Sequence, residues 1–467
     1  MYWGTWTEEE ERGKKMKKRL MSVLLCTTML MGLATGCGSK AGNEADNGDS
    51  AGNVAAGTEA AGDAAGETTD SGEKIVLDIY AQYADDDTMV PYDYAVEQLA
   101  TAYPNVELNL IIQAQDDGAT LETLAATGQL PDIFQANTNI INSFRETNQV
   151  MVLDDVAASS GYLDKVFESN KELVYSDDGH IYCFPYAGNE YVLWYYNKAL
   201  FEQYELEVPT TYEELLHCVE VFSDNGITPM ALFGQEGWIT TAMYDAIATR
   251  YVADGIKGLD TKTTAITDEG YVEAANKLYE LAEAGLFQNS VTTTNYDQAS
   301  QMFLNGEAAM FLNGQWYIQD ATAALGDDVD WMYYPSYDAA SYEAMKMAFS
   351  GGGSTSGYAV NPDGEHAELA AEVAAFLAEK YCEAKVMYRG NPLVALETGA
   401  QPEEAYPAMM QKLSDTIPSM TSTTKFTWGL TSTVFNESIC TNTQGLISCQ
   451  YSPEEFVEDV ADDMGRM

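Results

Sequence analysis

Apolar residues recur with two spacings along this chain, and the switch from one to the other outlines a fold. Ile75 to Tyr80 is a short run of β-branched and aromatic positions that reads as a strand. Asp93 to Tyr103 has helical spacing and stops at Pro104. Val106 to Ile112 alternates as a second strand, Thr120 to Gly128 is helical, and Leu130 to Gln135 reads as a third strand. A β-α-β-α-β order predicts an open, parallel sheet, in which ligands sit beyond the carboxyl ends of the strands.

Residues 180–198 break this rhythm. Ile181 to Phe184 is strand-like and is closed off by Pro185, while Tyr191 to Tyr196 is a second apolar, aromatic run. Between them lie Ala187, Gly188 and Asn189, which are small enough to absorb a change in φ and ψ. A strand that stops, bends and restarts predicts a crossing between two lobes, with Glu190 near the bend. Further along, Thr211 and Glu214 form a capping box that opens a helix, and Thr228 to Phe233 reads as a strand. Gly270–Gly285 and Asp297–Asn305 are amphipathic helices, Ala367–Tyr381 is another, and the chain from Pro392 onward is expected to be mainly helical.

Several of these stretches carry a resemblance. Tyr182-x-x-Pro185-Tyr186-Ala187, then Glu190, then Trp194-Tyr195-Tyr196-Asn197-Lys198 resembles the first interlobe crossing of the extracellular solute-binding proteins of bacterial ABC importers, above all the carbohydrate-binding, maltose-binding-protein-like group. Ala126-Thr127-Gly128-x-x-Pro131-Asp132-Ile133 and Phe303-x-x-Gly306-x-Ala308-Ala309-Met310, followed by Gly314-x-Trp316, are similar to signatures of the same family. The resemblance covers roughly residues 74–467 and implies a two-lobed α/β fold of the type II periplasmic-binding-protein kind. Each lobe is expected to be an open, mostly parallel sheet flanked by helices, with a hinge and a cleft between. The first lobe is expected over 74–187 and 337–396, the second over 188–336 and 397–467.

The same resemblance implies a binding site. Trp316 is expected to stack on a sugar ring, and Glu236 and Trp238 match a loop in which an acidic residue and an aromatic two places later touch sugar. Trp428, in Phe426-Thr427-Trp428, resembles a late aromatic that reaches the cleft. From the first lobe, Tyr83 lies in the loop after the first strand, and Gln135, Asn137 and Asn139 lie in the loop after the third. Amides both donate to and accept from hydroxyls, although the same residues also serve turns. Aromatic faces for the CH side of a sugar, with carboxylates and amides for its rim, make a saccharide site.

Composition narrows the function. The formal net charge is −50, which argues against nucleic acid or an anionic membrane surface as a partner, is indifferent to a neutral sugar and would attract a polyamine. A cationic solute such as a polyamine is therefore the alternative ligand. A glycoside hydrolase built on Glu190 and Glu236 is a third reading. The three His residues have no nucleophile at a known spacing and no Gly-x-Ser-x-Gly occurs, so an enzyme is not expected. No cofactor is implied, and no Cys/His cluster suggests a metal.

The N-terminal region reads as an export device. Met16 to Arg19 is a basic n-region, Leu20 to Leu33 is an apolar stretch shorter than an ordinary membrane span, and Leu33 to Cys37 resembles a bacterial lipobox. Cys37 is then the expected lipidation site and Met16 the expected true start, since residues 1–15 fit no n-region. Residues 38–73 are small and acidic, with almost nothing to bury, and read as a flexible tether with a root-mean-square span of about 30–35 Å. The expectation is a monomeric, lipid-anchored protein on the outer face of a Gram-positive membrane, delivering carbohydrate to an ABC permease. Five Cys remain beyond Cys37; Cys440 and Cys449 are near enough for a disulfide, although buried thiols are the expected state.

Overall fold

In a computed structural model of the chain, residues 74–467 apart from Asp117 are described, and the leader, Cys37 and tether lie outside them. The described part is built on two five-stranded sheets and one small two-stranded sheet; the first large sheet has a buried core on each face and the second has a single large core.

The first sheet begins with β1 (Ile75–Ala81), α1 (Asp86–Ala102), β2 (Val106–Ile112), α2 (Ala119–Ala126) and β3 (Ile133–Asn137), followed directly by α3 (Thr138–Thr147). β1 lies between β2 and β3 and runs parallel to both, as the alternating order predicts. α1 starts seven residues before the position expected from apolar spacing. Asp85 accepts from the Thr88 N–H while Thr88 bonds back, a capping box that recruits the polar Asp86 and Asp87 into the first turn. The predicted strand at 181–184 shrinks to β4 (Phe184–Pro185), because the Ile181 N–H is taken by the Asp154 carboxylate rather than by a neighbouring strand.

The second sheet starts with β5 (Glu190–Asn197), the aromatic run after the bend. α4 (Tyr212–Asp224), β6 (Thr228–Ala231), α5 (Gly237–Ala248), α6 (Glu269–Glu283), α7 (Tyr296–Leu304), β7 (Ala308–Gly314), α8 (Ile318–Leu325) and β8 (Val329–Met332) follow. The Thr211–Glu214 capping box forms as read. β6 and β7 are parallel, but β5 enters from the first lobe and runs antiparallel to both β7 and β8. The second sheet is thus less parallel than the resemblance implies.

The chain stays with the second sheet longer than the expected return at residue 337. β9 (Ala348–Phe349) pairs with β12 (Ser422–Thr423), and β10 (Gly351–Gly352) pairs with β5. Only β11 (Ser356–Val360) rejoins the first sheet, between β3 and β4. α9 (Ala367–Arg389) then covers that sheet and ends where Gly390 takes a left-handed conformation. Val394 still bridges to Ala187 and Leu396 to Val166, after which α10 (Thr433–Ile447) and α11 (Pro453–Met464) pack into the second core. No disulfide joins Cys440 to Cys449; the Cys440 sulfur is near Asn436 and Thr241 instead.

Candidate functional site

The carboxyl ends of β6 and β7 and the start of β5 meet at one edge of the second sheet. Val192 is paired with Gly314, and the Tyr191 N–H donates to Gln315 Oε1 at 2.7 Å. Glu190 and Trp316 therefore leave adjacent strands at the same end. Gly314 makes room for the indole, since a Cβ there would fall 2.2 Å from the Trp316 ring. Only glycine lets that ring fold back over its own strand.

The loop after β6 brings the second indole. Trp238 is in the first turn of α5, and its Nε1–H donates to Glu236 Oε2 at 2.8 Å. The third indole comes from the segment before α10. There Phe426 and Trp428 stack with ring planes 7° apart and centroids 4.3 Å apart. Trp238 is 5.8 Å from Trp316 and 5.3 Å from Trp428, and Trp316 is 6.3 Å from Trp428. Phe426 fills the middle, 6.0 Å from Trp238 and 5.7 Å from Trp316. All three indoles are half-buried, whereas Phe426 is buried. Rings from three separate stretches thus share one cluster, with the Glu236 carboxylate held beside it.

Glu190 is the electrostatic outlier. It is half-buried, and the lost hydration pushes its carboxyl up from 4.5 to about 7; Lys385 pulls it down and Asp87 raises it. Asp87 in turn is buried at the start of α1, bonded to Lys385 and 3.5 Å from Arg389 Nε. Arg389, at the end of α9, also pairs with Asp320 on α8 of the second lobe.

The first-lobe residues divide. Asn139 Nδ2 donates to the Thr427 carbonyl at 3.2 Å, so it reaches across to the backbone beside Trp428. Tyr83, Gln135 and Asn137 are not drawn into the tryptophan cluster. The Tyr83 hydroxyl donates to Asp93, Gln135 Oε1 accepts from the Gln82 N–H, and Asn137 Oδ1 caps α3 by accepting from the Ile140 N–H at 3.1 Å. Beside Asn139 and Thr427 opens a cavity of about 670 Å³, lined by Thr138, Asn142, Arg145, Tyr175, Tyr182 and Thr431 among others. None of the residues expected from the sequence lines it. Gln315 and the Asp87–Arg389–Asp320 chain were also not among those expected. Gln315 stood in the open between Gly314 and Trp316, but the ion pairs join residues up to 302 positions apart.

Residues 86–380, more than half of the chain, match the family profile described as bacterial extracellular solute-binding protein. Among relatives, the multiple sugar-binding protein of Streptococcus mutans is 26% identical over 43% of this chain and 48% of its own length. The maltotriose-binding protein of Pyrococcus abyssi is 25% identical over 48% of this chain and 46% of its own. An uncharacterised ABC transporter extracellular-binding protein of Pyrococcus horikoshii is 23% identical over 51% and 55%. The chain thus spans about half the length of these curated relatives. Among solved structures, a chitin oligosaccharide binding protein superposes with a TM-score of 0.72 at 20% identity, covering 85% of this chain and 99% of its own. A binding protein in complex with raffinose superposes with a TM-score of 0.63 at 17% identity, covering 84% and 99%. At such identities the superpositions establish the two-lobed fold.

Proposed function

Because this chain belongs to the bacterial extracellular solute-binding proteins, a family of non-catalytic transport components, we propose that it captures a neutral saccharide for an ABC importer. The observation that carries the reading is the meeting of Trp238, Trp316 and Trp428 beside Glu236 and Glu190 at one sheet edge. Indole faces take the CH side of a sugar ring, and carboxylates accept from the hydroxyls on its rim. Relatives with names that specify sugars support the choice of solute. Asn139, Tyr83, Gln135 and Asn137 are the first-lobe candidates, with Asn139 the best placed because it touches the backbone next to Trp428.

Calorimetry and tryptophan fluorescence with raffinose, maltotriose, xylo-oligosaccharides and chito-oligosaccharides test the reading. Trp316→Ala is expected to weaken the tightest of these ligands at least tenfold, roughly 1.4 kcal/mol. Unaltered affinity in that variant, or no binding by the parent protein, sinks it. We further propose that Cys37 carries the lipid that holds the protein at the outer membrane face, with residues 38–73 as tether and the permease as partner. Cys37→Ala should move the protein from the detergent phase to the aqueous phase of a Triton X-114 partition; no change there removes the anchor.

A further inference from the structure

Nine buried side-chain polar atoms among the described residues have no hydrogen-bond partner, and five of them lie at the face between the lobes. They are Asn139 Oδ1, Tyr296 Oη, Asn313 Nδ2, Gln315 Nε2 and Gln319 Oε1. Native proteins leave few such atoms, because each costs the hydration it has lost. Their concentration at one face calls for an occupant.

Two of the five have a fixed identity. Gln315 Oε1 accepts from the Tyr191 N–H at 2.7 Å, and Asn313 Oδ1 accepts from the Gly314 N–H at 2.8 Å. An amide whose oxygen is held by a backbone donor has no freedom to flip, so the atom left over is the NH₂ in both cases. Both side chains are fully buried and stand two residues apart at the end of β7. The intervening Gly314 carries the Trp316 ring against its other side. Tyr296 Oη stands beside the Asn313 amide, in a contact too poorly aligned to satisfy either group fully, with Asp85 of the first lobe and Asp320 near it. Gln319 Oε1 faces Gly390, also across the lobes.

We propose that Tyr296, Asn313 and Gln315 form a donor shelf at the end of β7 that reads the oxygen atoms of the captured solute. The shelf is reached when the lobes part and is satisfied when they close on the solute. This rests on the saccharide reading and sharpens it against a cationic ligand. A polyamine offers donors only, so it leaves the Asn313 and Gln315 NH₂ groups unmet. Three of the nearby carboxylates are also already engaged. Asp87 holds Lys385 and Arg389, Asp320 holds Arg389, and Asp85 caps α1. Hydroxyl, ring and glycosidic oxygens all accept, and hydroxyls donate back to Asn139 and Gln319. Gln315 does a second thing: one end of its amide grips the first residues of β5, just past the interlobe bend, so the solute and the crossing strand share one side chain.

The test uses the full chain and the saccharide it binds most tightly among raffinose, maltotriose, xylotriose and chitotriose, with spermidine alongside. Gln315→Glu and Asn313→Asp keep the oxygen that each backbone N–H needs and remove the NH₂. Tyr296→Phe removes only the hydroxyl, which has no well-aligned partner. Each is expected to weaken saccharide binding about tenfold. Tyr296→Phe should leave the unfolding temperature of the ligand-free protein unchanged or higher, which a structural hydroxyl would not allow. If the parent binds a saccharide and Tyr296→Phe, with whichever amide variant folds, binds it equally well, the shelf is wrong and the saccharide reading stands. If the parent binds spermidine and no saccharide, or binds nothing, both are wrong.

Discussion

A carboxyl group held near neutrality is the residue-scale feature that most separates this cleft from ordinary surface. Glu190 rises from 4.5 to about 7 chiefly because burial strips water from its charged form. Its folded value exceeds its unfolded one, so between those two values the folded protein binds more protons than the unfolded chain. Its stabilising contribution is therefore fully present below about pH 4.5 and is lost as the pH climbs through about 7. Glu190→Gln has no such dependence. The variant should unfold at a higher temperature than the parent at pH 8, and the gap should close toward pH 4.5. The whole span is on the order of 3 kcal/mol at most. Taking the difference between the two proteins cancels every other titrating group. Parallel curves across that range would mean that Glu190 is hydrated and ordinary. The tryptophans that share the cluster were picked out by the family resemblance of the motifs that carry them, and Trp316 also by its place just past Asn313-Gly314 at the end of a strand. Tyr83 was chosen by loop position, and Gln135 and Asn137 by loop position and amide chemistry; the side chains of all three are bonded within the first lobe.

At the scale of elements, local signals decided where strands and helices begin, and long-range pairing decided what they join. Capping boxes at Thr211 and Asn295 fix helix starts within a residue of the expected ones. The capping box at Asp85 was the exception, because three successive Asp residues read as loop until Thr88 is seen to close it. The direction of β5 and the late return to the first sheet had no local mark, since antiparallel and parallel partners use the same apolar run. The Gly351–Gly353 segment shows why that return is Gly-rich. Gly351 has φ of +94°, and a Cβ there would lie 2.7 Å from the Glu190 carbonyl and 2.9 Å from the Phe426 ring. The backbone passes between the crossing strand and the aromatic cluster with no room for a side chain. Gly351→Ala should thus lower stability by about 1–3 kcal/mol, read as an earlier urea midpoint. The tryptophan emission should shift as well, since Phe426 must give way. A midpoint within error of the parent would show the segment to be pliable.

For the molecule as a whole, what matters is how two separately packed lobes are held at one angle. The chain passes between them at Ala187–Asn189, at Gly353–Thr355 and after Leu396, so the backbone alone leaves a hinge. Side chains then bias it. Asn139 holds the Thr427 carbonyl across the cleft, and Arg389 of the first lobe holds Asp320 of the second. Arg389 keeps a second partner in Asp87, so losing Asp320 does not strand a buried charge, and the usual large penalty for breaking such a pair is avoided. Asp320→Asn is therefore expected to spare the fold and shift the population toward parted lobes. A solute that is fully gripped only between closed lobes loses apparent affinity in proportion to the closed fraction. The predicted loss is about fivefold to tenfold for the best saccharide ligand, carried mainly by faster release in stopped-flow tryptophan fluorescence. The ligand-free variant should also show a larger radius of gyration by X-ray scattering, with the saturated protein returning to the parent value. Unchanged release and scattering would place the restraint in the three backbone passages rather than in the ion pair.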